Sequence, residues 1–202
     1  MGTQPAKEPV RSSTQPSAVF LVGFMGAGKS SVGRALGQRL NWIFEDLDDR
    51  IERREKRRVA EIFRDSGEPA FRRAEILALK QAIEETQGGV PKVIALGGGA
   101  FAQPESVALL KTAGALTVFL DAAVEELWDR CRKHAAQSGA ERPLLQDMKH
   151  FQRLYKSRRT HYQKAALHVK TGNRTIDAIA AEIEQLLDLK RIATRTEQGE
   201  VE

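Results

Sequence analysis

Ala18-Val19-Phe20-Leu21-Val22-Gly23-Phe24-Met25-Gly26-Ala27-Gly28-Lys29-Ser30-Ser31 starts as an apolar run and breaks at once into glycines. The first five residues predict a short buried strand. Beyond the glycines, Val32, Leu36 and Leu40 recur every fourth residue with Arg34, Gln38 and Arg39 between them, which predicts an amphipathic helix. Strand, glycine-rich loop and helix in that order are the setting in which G-x-x-x-x-G-K-S holds phosphate.

The loop has to curl so that successive backbone N–H groups point inward at an oligophosphate, and Gly23, Gly26 and Gly28 accept the dihedrals this needs. The helix that follows turns its positive end to the same anion. Nucleotide contacts are therefore expected from Gly26, Ala27, Gly28, Lys29, Ser30 and Ser31. Lys29 supplies an ammonium for the β and γ phosphates, and the Ser30 hydroxyl is a ligand for Mg²⁺ bridging them.

Working outward, the 202 residues suit one domain with a single core. Residues 1–17 are polar and read as a disordered tail, 18–188 as the folded domain, and 189–202 as a polar tail that frays. Cys131 is the only cysteine, which points to a buried, inert thiol in a reducing cytoplasm. No apolar stretch reaches the roughly 20 residues of a membrane span, so no membrane partner is expected. The net charge of +5 suits an enzyme that handles two anions. The basic run at 50–58 is interleaved with Glu52 and Glu55 and lacks aromatic residues for base stacking; it reads as a solvated helix face rather than a nucleic-acid surface.

Periodicity predicts strands at 18–22, 42–45, 92–96, 116–120 and 168–171. Helices are expected at 49–56, 59–65, 68–86, 104–113, 124–135, 148–166 and 176–187, with a mobile loop at 136–146. Strands that alternate with helices make a parallel sheet covered on both faces, and ligands gather at the carboxyl ends of its strands. The phosphate loop, the Asp46/Asp48 pair and Gly97-Gly98-Gly99 each follow a strand, so one site at that edge is expected. Asp121 also ends a strand and reads as a helix cap. The four histidines show no metal-ligand spacing.

Between residues 18 and 188 these motifs come in an order that resembles the shikimate kinases. They are the loop itself, Phe44-Glu45-Asp46-Leu47-Asp48 before Ile51-Glu52, Ala60-Glu61-Ile62-Phe63, Gly67-Glu68, and Phe71-Arg72-Arg73-Ala74-Glu75. Gly97-Gly98-Gly99-Ala100, Arg142-Pro143-Leu144-Leu145, and Arg158 four residues before Tyr162 complete the set. The resemblance implies a three-layer α/β/α fold of the P-loop, nucleoside monophosphate kinase-like type, with five parallel strands in the order 2-3-1-4-5. It also implies transfer of the ATP γ-phosphoryl group to the 3-hydroxyl of shikimate by a monomer.

By the same resemblance, Asp48 binds the acceptor hydroxyl and takes its proton, and Asp46 holds Mg²⁺ through water. Arg72, Glu75, Gly97, Gly98, Gly99 and Arg158 contact shikimate. Arg142, on a lid at about 136–146, reaches the phosphates, and either Arg130 or Arg132 flanks the adenine. The residue chemistry agrees, because planar guanidinium forks match a carboxylate. Glu75, three residues after Arg72, can hold that fork or meet a ring hydroxyl. Kinases of other small hydroxy or sugar acids, such as gluconate, and a nucleic-acid-associated ATPase are the alternatives. Leu47, Lys56 and a longish loop before Arg142 depart from the family pattern. A left-handed Lys56 is costly, so the helix there is expected to continue through it.

Overall fold

Strand β1 (Ala18–Val22) is buried along its whole length. It is flanked by β3 (Lys92–Ala95) on one side and β4 (Leu116–Asp121) on the other, both parallel to it, with Val19 opposite Val93 and Leu116. β2 (Ile43–Asp46) pairs with the outer edge of β3, and β5 (Leu167–Lys170) with that of β4. The order β2-β3-β1-β4-β5 is the expected one. The computed structural model describes the backbone at 18–138 and 147–199, and side chains at 18–137 and 147–188.

Successive strand residues point to opposite faces, yet those of β1 and β3 are all buried, so both faces of the sheet are covered. The covering helices are α1 (Lys29–Leu40), α2 (Leu47–Glu55), α3 (Val59–Gln87), α4 (Pro104–Thr112), α5 (Val124–Ser138), α6 (Met148–Tyr162) and α7 (Ile176–Gly199). α1 and α7 lie side by side and are joined by Arg39 and Glu184 at 2.6 Å. No helix among the described residues is long and apolar enough to cross a membrane.

Several boundaries differ from expectation for local reasons. The two helices expected at 59–65 and 68–86 are one element broken at Gly67, whose φ of 76° and ψ of 170° are not helical. α2 starts at Leu47 rather than residue 49, because the Asp46 carboxylate accepts from the Asp48 N–H at 3.1 Å and caps the first turn. It ends at Glu55: Lys56 adopts the left-handed conformation (φ 52°, ψ 32°), contrary to the expected continuation. The Glu52 carboxylate accepts from the Val59 N–H at 2.9 Å and draws the chain back there.

α6 stops at Tyr162, four residues early, and Ala166 N–H bonds the Thr117 hydroxyl as the chain enters β5. α7 runs to Gly199, well past the expected end at 187, so the helix extends into the tail that was expected to fray.

Candidate active site

The phosphate loop is held from both sides. Gly23, Gly26 and Gly28 all have positive φ, at 147°, 80° and 90°. A Cβ on Gly26 would stand 2.7 Å from the Leu127 carbonyl oxygen and 2.8 Å from Cys131 Sγ, so the loop lies directly on α5. Phe24 meets Phe151 and Tyr155 edge-on at 5.0 and 5.5 Å between ring centres, a contact sequence reasoning missed. Such pairs contribute about 0.5–1.5 kcal/mol each beyond burial, enough to fix α6 against the loop. Cys131 is buried, as expected, and lines the cavity under the loop.

That cavity encloses about 590 Å³. The loop from Met25 to Ser31, Asp46, Asp48, Gly97 and Gly98 line one part of it, and Arg130, Thr171 and Arg174 another. The loop, β2 and the triple glycine therefore share one edge of the sheet, as anticipated. Arg130 lines the cavity and bonds the Thr171 carbonyl at 2.7 Å, whereas Arg132 is exposed, which separates two arginines that spacing alone left equal.

Within the cavity Lys29 donates to the Gly23 and Phe24 carbonyls at 2.9 and 3.1 Å, and burial pulls its ammonium below the usual lysine range. The Ser30 hydroxyl donates to Asp46 Oδ2 at 2.7 Å. No cluster of three or more His, Cys, Asp or Glu among the described residues could hold a metal unaided. A hydroxyl and a carboxylate side by side suit a hard cation that keeps water and phosphate oxygens as its other ligands.

Asp48 Oδ1 and Glu75 Oε1 are buried without a hydrogen-bond partner. Both point at Gly97, where a Cβ would lie 2.8 Å from the first and 3.0 Å from the second. Burial, and next the neighbouring Asp46 charge, raise Asp48 to about 6, and burial likewise raises Glu75. Two buried acceptors without donors, converging on a residue with no side chain, make a place for a ligand that brings hydroxyl groups.

The guanidinium groups frame the same turn. Arg72 Nη1 donates to Glu75 Oε2 at 2.7 Å and Nη2 to Glu68 at 2.8 Å, and a Cβ on Gly99 would stand 2.8 Å from Nη2. Arg158 Nη1 donates to the Gly98 carbonyl at 3.2 Å, and Tyr162 donates its hydroxyl to that same oxygen. Tyr162 was noted only for its spacing from Arg158; one helical turn apart on α6, they reach a common acceptor.

Asp121, expected to cap a helix, instead ties β4 to α6: it pairs with Arg159 at 2.8 Å and accepts from Tyr155. The run at 50–58 is not uniformly solvated either, because Arg50 is only 15% exposed and bonds Glu45 and Glu85. Arg142 lies outside the described residues, as do 139–146 of the lid expected at about 136–146; its first three residues instead continue α5, which runs to Ser138.

A model of the shikimate kinase family matches residues 25–188. Shikimate kinase of Thermus thermophilus is 41% identical over 172 residues, which span 84% of this chain and 89% of that protein. That of Persephonella marina is 35% identical over 166 residues, 82% of this chain and 95% of that protein. Among solved structures, shikimate kinase from Acinetobacter baumannii in complex with shikimate superposes with a TM-score of 0.77 at 32% identity, covering 88% of this chain and 95% of that one. A gluconokinase from Sinorhizobium meliloti 1021 shares the fold alone, with a TM-score of 0.53 at 18% identity over 91% of this chain and 97% of that one.

Proposed function

The chain belongs to the shikimate kinase family and is an ATP-dependent kinase of shikimate; within that activity we propose that Asp48 takes the proton of the 3-hydroxyl as that oxygen attacks the γ phosphorus. The bond from that phosphorus to the bridging oxygen of ADP breaks, the products are shikimate 3-phosphate and ADP, and the proton rests on Asp48. The observation that carries this reading is the pair of buried, unbonded oxygens of Asp48 and Glu75 over Gly97. Asp48 shares its cavity with Ser30 and Asp46, and the Arg158 and Arg72 guanidinium groups border the next two glycines, Gly98 and Gly99.

Arg72 and Arg158 take the acceptor carboxylate, while Glu75, Gly97, Gly98 and Gly99 shape the space for its ring. Glu75 keeps the Arg72 fork aimed. Each charge-assisted bond is worth about 1.5–3 kcal/mol, enough to orient so small a ligand. At the other end Lys29 exchanges the loop carbonyls for phosphate oxygens, and the backbone at Gly26, Ala27 and Gly28, with Ser30 and Ser31, cradles the rest. Mg²⁺ held by Ser30, and by Asp46 through water, would neutralise charge on the transferring group. Arg142 adds to that neutralisation. Phosphoryl transfer needs positioning and charge stabilisation more than covalent chemistry, so these groups carry most of the rate.

One chain supplies both the phosphate loop and the acceptor side of the cavity, which supports a monomer; the single, buried Cys131 supports a reducing cytoplasm, and Glu52 and Glu55 within the basic run argue against a nucleic-acid surface. The test is Asp48→Asn in a coupled ADP-release assay with shikimate, gluconate and no acceptor in parallel. ATP binding should persist while turnover with shikimate falls by at least about 100-fold. Unchanged turnover removes Asp48 from the reaction, and equal turnover of the wild type with gluconate removes the acceptor assignment.

A further inference from the structure

We propose that Arg50 is a positioning residue for Asp48: by bridging Glu45 and Glu85 it fixes the roll of helix α2, and so keeps the Asp48 carboxylate over Gly97. The proposal rests on the assignment of Asp48 as proton acceptor and adds a residue that touches neither substrate.

α2 has nine residues, too few to be stable without tertiary contacts. Leu47 and Ile51 are its fully buried apolar anchors. At about 100° per residue, Asp48 and Arg50 stand about 80° to either side of the line those anchors define. Apolar contacts set the depth at which such a helix sits but resist rotation about that line weakly, because they are not directional. A hydrogen-bonded ionic fork is directional.

Arg50 provides that fork. Its Nε donates to Glu45 Oε1 at 2.8 Å and its Nη2 to Glu45 Oε2 at 3.0 Å, and the same Nη2 donates to Glu85 Oε2 at 2.6 Å. Lys92 at the start of β3 donates to both carboxylates, at 3.0 Å to Glu45. Arg53 also reaches Glu45, at 3.2 Å, but it is 70% exposed and adds little. Glu45 and Lys92 are almost completely buried, while Glu85, 42% exposed, closes the network at its solvent end. Glu45 precedes Asp46 on β2, and Glu85 lies near the end of the helix that carries Arg72 and Glu75. One guanidinium thus references α2 to β2, whose Asp46 caps its first turn, and to α3, whose Glu75 meets Asp48 over Gly97.

A small roll of α2 swings Asp48 off the line between acceptor and phosphate, and misplacement by about 1 Å costs up to about 100-fold in rate. The test is steady-state kinetics on Arg50→Met, Arg50→Lys and Glu85→Gln, each alone and with Asp48→Asn, with folded enzyme quantified by its melting transition. Arg50→Met should lower kcat about tenfold while KM for ATP stays within about twofold. Arg50→Lys, which keeps the charge without the fork, should recover part of that loss.

In the Asp48→Asn background the loss should vanish, because Arg50 acts through a carboxylate that is no longer there. A purely structural role would persist in that background. Wild-type kcat in Arg50→Met, or its full loss repeated on top of Asp48→Asn, overturns the proposal. Should Arg50→Met fail to fold, Glu85→Gln decides: about threefold lower kcat, absent in the Asp48→Asn background, supports it, and unchanged kcat overturns it. Full activity of Asp48→Asn alone is a separate result and overturns the Asp48 assignment itself.

Discussion

Ser30 donates its hydroxyl to Asp46 Oδ2 across 2.7 Å, joining the first turn of α1 to the end of β2. If the two oxygens share a hydrated Mg²⁺, the charge of Asp46 matters more than its shape. Asp46→Asn keeps a good helix cap for α2 but removes that charge. The Mg²⁺ concentration for half-maximal activity should rise about tenfold, roughly 1.4 kcal/mol, with the melting temperature nearly unchanged. A magnesium titration at fixed ATP checks it; an unaltered requirement would contradict the site.

Gly97 sits where a Cβ would come within 2.8 Å of Asp48 and 3.0 Å of Glu75. Gly97→Ala forces one carboxylate to move and fills space proposed for the acceptor, at about 1–3 kcal/mol. KM for shikimate should rise at least about fivefold, by the same conversion of free energy to affinity. Titration with a fluorescent ATP analogue should show unaltered nucleotide affinity.

Arg72 and Arg158 both have planar forks beside the triple-glycine turn. Arg72→Lys and Arg158→Lys preserve the charge and lose the paired geometry, so each should raise KM for shikimate about tenfold or more. Initial-rate kinetics with varied shikimate reads this directly. Normal values in both variants would mean the carboxylate binds elsewhere.

Glu85 is held down to about 2 by its bonds to Arg50 and then Lys92, from an ordinary value of 4.5. A carboxylate depressed in the folded state contributes stability that is complete above its unfolded value and is lost as pH falls through the folded one. The loss should therefore run from about pH 4.5 down to about 2. Glu85→Gln has no proton to bind, so its unfolding midpoint in urea should fall less steeply over that interval than the wild type's. Parallel curves would show that Glu85 is not held down.

Lys56 closes α2 in the left-handed region, at φ 52°. Glycine adopts this conformation without the clash of a Cβ, so Lys56→Gly should stabilise by up to about 1 kcal/mol. For a chain of this size that is about 2–4 °C in melting temperature, readable by calorimetry. A lower melting temperature would mean the lysine side chain contributes more than its backbone strain costs.

The buried parts of this fold are the parts the sequence makes plain. β1 and β3 are buried throughout, and their apolar runs mark them within a residue. The edge strands β2 and β5 are only half covered, carry Glu45, Asp46, His168 and Lys170, and their ends were misplaced by one residue. The site motifs were legible because phosphate and carboxylate chemistry restricts residue type at fixed spacing. Lys56 and Arg50 were not. The turn at Lys56 is set by Glu52 reaching across to Val59, and Arg50 is held by Glu85, 35 residues away. A charge between other charges on a helical pattern reads as solvated until its distant partners are known.

The strand order also shapes how the chain comes into being on the ribosome. β1 is made first yet lies in the middle, so one of its edges waits for β3 and the other for β4. Until Ala95 has emerged Val19, Phe20 and Leu21 have no complete pairing partner, and one edge of their strand stays open until Asp121 has emerged. Long-range parallel pairing is slow, and an uncovered apolar strand is prone to aggregate. The strand that leads into the glycine-rich loop, first to be made, is thus among the last to have both of its edges covered.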